Sequence, residues 1–187
     1  MRQPVKNDQR LKLAATLVLG LLVIVGAAIA TPGIGVLGAP VHARGTIAEA
    51  LNVQSSSGVE LRTRGAVDIV TQQITIAAGG STGWHGHPAP VLVTIKSGAM
   101  TLIYANDTRC VGRIYTAGQS FVDRGDETVH NAYNRGGETL EFWATYLVPG
   151  APGAAFRIDA PDPGTCISPS PSPSPGSGAL PARGRGR

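Results

Sequence analysis

An all-β domain, built as a sandwich or a barrel, is what the sequence predicts between residues 44 and 167. Three observations predict it. Short runs rich in Val, Ile, Thr and aromatic residues recur between turn signals. The 187 residues include 25 Gly and 14 Pro, which favours many turns and short strands over long helices. No window after Ala43 carries a 3.6-residue apolar period.

In chain order the strand candidates are Val67–Ala77, Val91–Lys96, Ala99–Ala105, Val111–Tyr115, Ser120–Asp123, Thr128–Tyr133, Leu140–Val148 and Ala155–Ile158. Gly79-Gly80, Asn106-Asp107, Ala117-Gly118 and Gly125-Asp126 punctuate them, and Ser97-Gly98 and Arg135-Gly136-Gly137 read as tight hairpin turns. The chain shows no second domain and no long-period repeat.

The ends differ from this middle. Residues 1–12 are polar and net positive, and Leu13–Ala30 is an uncharged apolar stretch that reads as an N-terminal hydrophobic helix. Residues 1–43 are either a cleaved export signal or a membrane anchor through residues 13–30, since a span needs roughly 20 residues. Val41-His42-Ala43 offers small residues for a cut before Arg44, and Ala28-Ile29-Ala30 is a second candidate. Both alternatives place the domain outside the cytoplasm, secreted or anchored facing outward. Residues 168–187 open with four Ser-Pro repeats and end in Arg-Gly, a composition that predicts a disordered tail.

The net charge of +4 invites a nucleic-acid partner, but its distribution excludes one for the core. Between Arg44 and Ile167 there are 9 basic and 11 acidic residues, a balance of −2, so the excess of positive charge belongs to the two ends. Cys110 and Cys166 are the two cysteines, and in an exported domain the expectation is a disulfide between them.

Of the four histidines, His42 lies at the candidate cut. His85 and His87 are two apart in Gly83-Trp84-His85-Gly86-His87-Pro88, which on extended backbone turns both imidazoles to one face. A metal needs such convergence and an apolar core does not. His130 stands where a neighbouring strand can complete the set.

Gly79, five residues, His85-Gly86-His87, three residues, Val91, six residues and Gly98 resemble the first motif of the cupin superfamily. Gly118 followed by His130-Asn131-Ala132-Tyr133-Asn134 resembles the second. The resemblance spans roughly residues 45–160. It implies a cupin double-stranded β-helix, a jelly-roll barrel, whose inward histidines hold one divalent metal; many similar cupins form homodimers. The chain departs from the pattern at Val91, where the family has a carboxylate, which reduces the implied metal set to His85, His87 and His130. Gln72, Gln73 and Glu127 are the candidate replacement oxygen ligands.

Three neutral imidazoles suit zinc, copper, nickel or iron, with manganese also open. Export favours zinc or copper over ferrous iron. Three functions follow: a metal-dependent enzyme of the oxygenase, isomerase or hydrolase type acting on a small molecule, a metal- or ligand-binding module without turnover, or a membrane-displayed structural domain. Fold does not choose among them. Trp84, Tyr104, Tyr133 and Trp143 read as packing residues, Asn134 as a turn anchor, and Asp123 and Glu127 as solvated loop carboxylates, or as a general base if they face the pocket.

Overall fold

The computed structural model describes residues 30–126, 128–150 and 152–166. The candidate helix Leu13–Ala30, apart from Ala30, the tail 168–187 and Glu127 lie outside the described residues. Among the described residues no helix is long and apolar enough to cross a membrane. Their strands are β1 (Ile34–Gly38), β2 (Val41–Ile47), β3 (Asn52–Gln54), β4 (Glu60–Arg62), β5 (Val67–Ser81), β6 (His85–Gly86), β7 (Val91–Ser97), β8 (Ala99–Tyr104), β9 (Arg113–Thr116), β10 (Ser120–Asp123), β11 (His130–Tyr133), β12 (Leu140–Pro149) and β13 (Ile158–Asp159).

The 15-residue β5 is the spine. Strand order runs β10-β7-β12-β5-β11-β6-β13, with β1 and β2 laid along β5 and with β8 and β9 continuing from β11. All pairings are antiparallel. The sheet curls into a nearly closed barrel, and β3 with β4 makes a separate hairpin outside it.

The side-chain period of two decides what faces inward. Along β12, Leu140, Phe142, Ala144, Tyr146 and Val148 are buried and the residues between them are not, and Val91, Val93 and Ile95 alternate in the same way on β7. These join Val70, Ile74, Ile76, Met100, Leu102 and Ala132 in one core. Each large apolar side chain so buried contributes about 1.5–3 kcal/mol. A second cluster, Trp84, Ile103, Tyr133, Ala160 and Cys166, lies on the other side of β8 and β11, under the C-terminal segment. This is why every residue of β11 is buried: one face meets the barrel interior and the other is covered. Trp84 and Tyr133 are packing residues here, as expected.

The structure bears on two expectations, the candidate cut before Arg44 and the hairpin turns. Strands start well ahead of Arg44: β1 and β2 pair with β5 through Gly38↔Thr75 and Gly45↔Ile69, so a cut before Arg44 would divide β2. The apolar, glycine-rich run from Ile34 to Ala43 resembles leader composition, but it supplies further partners for β5. Neither Ser97-Gly98 nor Arg135-Gly136-Gly137 closes a hairpin. The strands they join, β7 with β8 and β11 with β12, do not pair; at both places the chain crosses to a non-adjacent strand of the same barrel sheet.

Cys110 and Cys166 form a disulfide, which ties the end of the described C-terminal segment to the loop after β8. Asn134 anchors a turn, its Nδ2 donating to the carbonyls of Ile76, Ala77 and Glu138.

Arg44 also has a structural partner. Its Nε and Nη2 donate to Oδ2 of buried Asp68, which accepts further hydrogen bonds from Thr46 and Gly153. The Thr46 hydroxyl, the Gly153 N–H and the Arg44 guanidinium hold the Asp68 carboxyl down at about 2 from an ordinary 3.8. A depressed folded-state value means that this contribution is complete above the unfolded pKa and is lost as pH falls through the folded one. Thermal midpoints measured from pH 5 to 2 should therefore fall more steeply for the wild type than for Asp68→Asn. Parallel curves would show that the ionised form of Asp68 adds nothing to stability.

Candidate metal centre

Register brings the three histidines together. His130 lies directly across from His85 in the β11–β6 pairing, and His87 follows two residues after His85. All three are buried, and one ligating nitrogen from each lies within 4.8 Å of the others. Ring centroids are 4.5 Å apart for His85 and His130, 4.9 Å for His85 and His87, and 5.1 Å for His87 and His130.

Each ring is held by a backbone carbonyl. Nδ1 of His85 meets Gly83 O at 2.8 Å, Nδ1 of His87 meets Phe156 O at 2.8 Å, and Nδ1 of His130 meets Thr128 O at 3.0 Å. A carbonyl only accepts, so each Nδ1 carries the proton and each Nε2 keeps its lone pair. This is the outer arrangement that orients metal-binding imidazoles. Burial, followed by the neighbouring His130, holds the His85 imidazole well below its usual range. Burial first and His130 next push His87 down to about 4, and burial lowers His130. Three neutral imidazoles with converging lone pairs fit one borderline divalent ion.

The histidines open on a cavity of about 370 Å³ inside the barrel. Its walls are mostly apolar, including Ile74, Val91, Val93, Leu102 and Phe142, with Gln72, Thr82, Asp123 and Arg157 as polar groups. Tyr146 packs its ring 5.2 Å from His87 and donates its hydroxyl to Gln72. Arg157 donates to Asp159 and to Thr82 O. Thr31–Gly33 joins the rim, with the Thr31 N–H donating to Ala160 O. A side chain at Gly83 would run into this segment, so glycine there lets the rim close beside Trp84-His85.

Of the suggested replacement ligands, Gln72 lines the cavity with its carbonyl already engaged by Tyr146, and Gln73 is turned to Glu141. The departure from expectation is Asp123. It is not on a solvated face: it is 2% exposed, lines the cavity and places Oδ2 3.4 Å from Nδ1 of His130. The missed signal was its place as the last residue of the strand Ser120–Asp123, where alternation puts it on the same face as Phe121. His42 is not among the converging histidines and packs on Trp143.

Fold and site together meet what the resemblance implied: a nearly closed antiparallel β-barrel with three histidines at one point of its interior. No protein-family model matches the chain, and no curated protein does. Among solved structures it is similar to a Klebsiella pneumoniae conserved protein with a double-stranded β-helix domain, at 23% identity over 60% of this chain and 84% of that one, TM-score 0.41. It is also similar to a cupin domain from Bordetella pertussis, at 18% identity over 55% and 96%, TM-score 0.38. A third is a cupin-superfamily sugar phosphate isomerase from Silicibacter pomeroyi, at 18% identity over 44% and 51%, TM-score 0.37. Likeness at this level concerns fold alone.

Proposed function

We propose that this chain is an exported barrel protein in which His85, His87 and His130 hold one divalent transition metal at the wall of a cavity that admits a small molecule. The observation that carries this is the capping of all three Nδ1 atoms by backbone carbonyls, which leaves three unprotonated Nε2 atoms for one ion. Zinc or copper is favoured, because the disulfide suits an oxidising compartment where ferrous iron is poorly kept. A metal so held supplies a Lewis acid and a site for an activated water. The protein's own part is a mostly apolar chamber with a guanidinium, Arg157, held by Asp159 and the Thr82 carbonyl for orienting a polar or anionic group. Buried Val91, apolar where the motif has a carboxylate, favours as a second reading a binding module without turnover.

The pairing of β1 and β2 with β5 supports a leader that ends near Ala30 and a mature chain that keeps Thr31–Ala43. One preparation tests both parts: the full chain expressed with export into an oxidising compartment and purified without chelators or a histidine tag. Elemental analysis should return close to one equivalent of transition metal, and the intact mass of a processed product should begin at Thr31. A metal-free protein that also refuses added Zn, Cu, Ni, Mn and Fe would overturn the metal centre. A product beginning at Arg44 would overturn the assigned boundary.

A further inference from the structure

A divalent ion held by three neutral imidazoles keeps its full charge in a buried chamber, which is costly unless a carboxylate stands near. Position 91 does not supply one. Across the β10–β7 pairing, however, the residue directly opposite Val91 is Asp123. Opposed residues of an antiparallel pair put their side chains on the same face. Both Val91 and Asp123 line the cavity.

Asp123 is held in place from three sides. Oδ1 accepts the Gly125 N–H at 2.8 Å, Oδ2 accepts the Tyr104 hydroxyl at 3.2 Å, and Oδ2 stands 3.4 Å from the protonated Nδ1 of His130. Tyr104 is itself opposite His130 in the β8–β11 pairing. Gly125 has φ of 71°, and a side chain there would run into the Ala89 backbone, two residues after His87. The turn that fixes Asp123 is thereby packed against the segment that carries His87.

Resting on the metal reading above, we propose that Asp123 is the carboxylate this centre carries in place of one at position 91. It acts from outside the ligand set, as a positioning residue that orients His130 and offsets the charge of the ion. The negative charge has moved across one strand pairing, from direct ligation to the far nitrogen of a ligand.

The test uses the full chain and Zn²⁺ and Co²⁺ as probes. Asp123→Asn keeps an acceptor for the Gly125 N–H, puts an amide NH2 where Oδ2 meets Tyr104 and His130, and removes the charge. It should weaken Zn²⁺ affinity, measured by chelator competition, by about 10- to 100-fold, the usual loss when an outer partner of a ligand is removed. The visible spectrum of the Co²⁺ form should shift. Adding Val91→Glu to Asp123→Asn should recover most of the affinity, because it returns a carboxylate to the opposing position. A role limited to capping the turn at Gly125 moves neither the spectrum nor the rescue. If Asp123→Asn fails to fold, Tyr104→Phe serves instead: it frees one side of the carboxylate and should cost a few-fold in affinity. Wild-type binding with unchanged affinity and spectrum in the folded variant overturns the role of Asp123 alone. A wild type that binds neither ion overturns the metal reading beneath it.

Discussion

His87→Ala is expected to abolish metal binding and to leave the barrel folded. His87 contributes one of three imidazoles, and its Nδ1 is already committed to Phe156 O, so no other group of that residue can substitute. Two histidines remain, on β6 and β11, and the nearby Asp123 engages the far side of His130. The expected loss of affinity exceeds the roughly 100-fold upper end of outer-partner effects. The fold should tolerate the change, because His87 lies after β6, outside the strand pairings, and faces a cavity instead of close-packed apolar side chains. Wild-type protein at metal concentrations about 100 times Kd should gain about 2.7 kcal/mol of stability. His87→Ala should gain none of it. His42→Ala is the matched control, since His42 packs on Trp143 away from the site, and it should behave as wild type. A His87→Ala protein that still carries one equivalent of metal removes His87 from the centre.

Removing the disulfide is expected to cost stability and metal affinity together. Cys110 and Cys166 are 56 residues apart, and the chain-entropy model assigns about 4 kcal/mol to closing a loop of that length. The bond also secures a segment that serves the site. Between β12 and Cys166 the chain supplies the Phe156 carbonyl to His87, brings Arg157 to the cavity and pairs β13 with β6 through Asp159↔His85. β13 has two residues, so ladder hydrogen bonds alone hold this segment weakly. Denaturant unfolding of Cys110→Ala/Cys166→Ala, beside wild type with and without reductant, should show the drop in both the double variant and the reduced protein. Metal titration of the same samples should show weaker binding. Equal midpoints would mean that packing and hydrogen bonds hold the C-terminal segment without the disulfide.

Much of the barrel could be read in the sequence because a two-residue alternation leaves a direct trace. Leu140–Val148 and Val91–Lys96 show their inward faces residue by residue, and the observed strands match them closely. Convergence of His85 and His87 followed from the same periodicity. What could not be read was pairing. Whether Ser97-Gly98 joins two partners or carries the chain to a non-adjacent strand of the barrel depends on which strands lie side by side, and nothing within either run encodes it. The strands β1 and β2 were hidden for a related reason: a glycine-rich apolar run looks alike in a leader and at the flank of a long strand until β5 is present to receive it.

The sequence by itself determined the fold class, the inward set of each long strand, the cysteine pair and the two histidines that share a face, all consequences of local spacing and composition. Only the tertiary structure decided that His130 stands across from His85, that three backbone carbonyls cap the imidazoles, and that Asp123 faces Val91. These are contacts between segments distant in the chain, set by strand register, and a single shift of register would have turned each of those side chains to the opposite face.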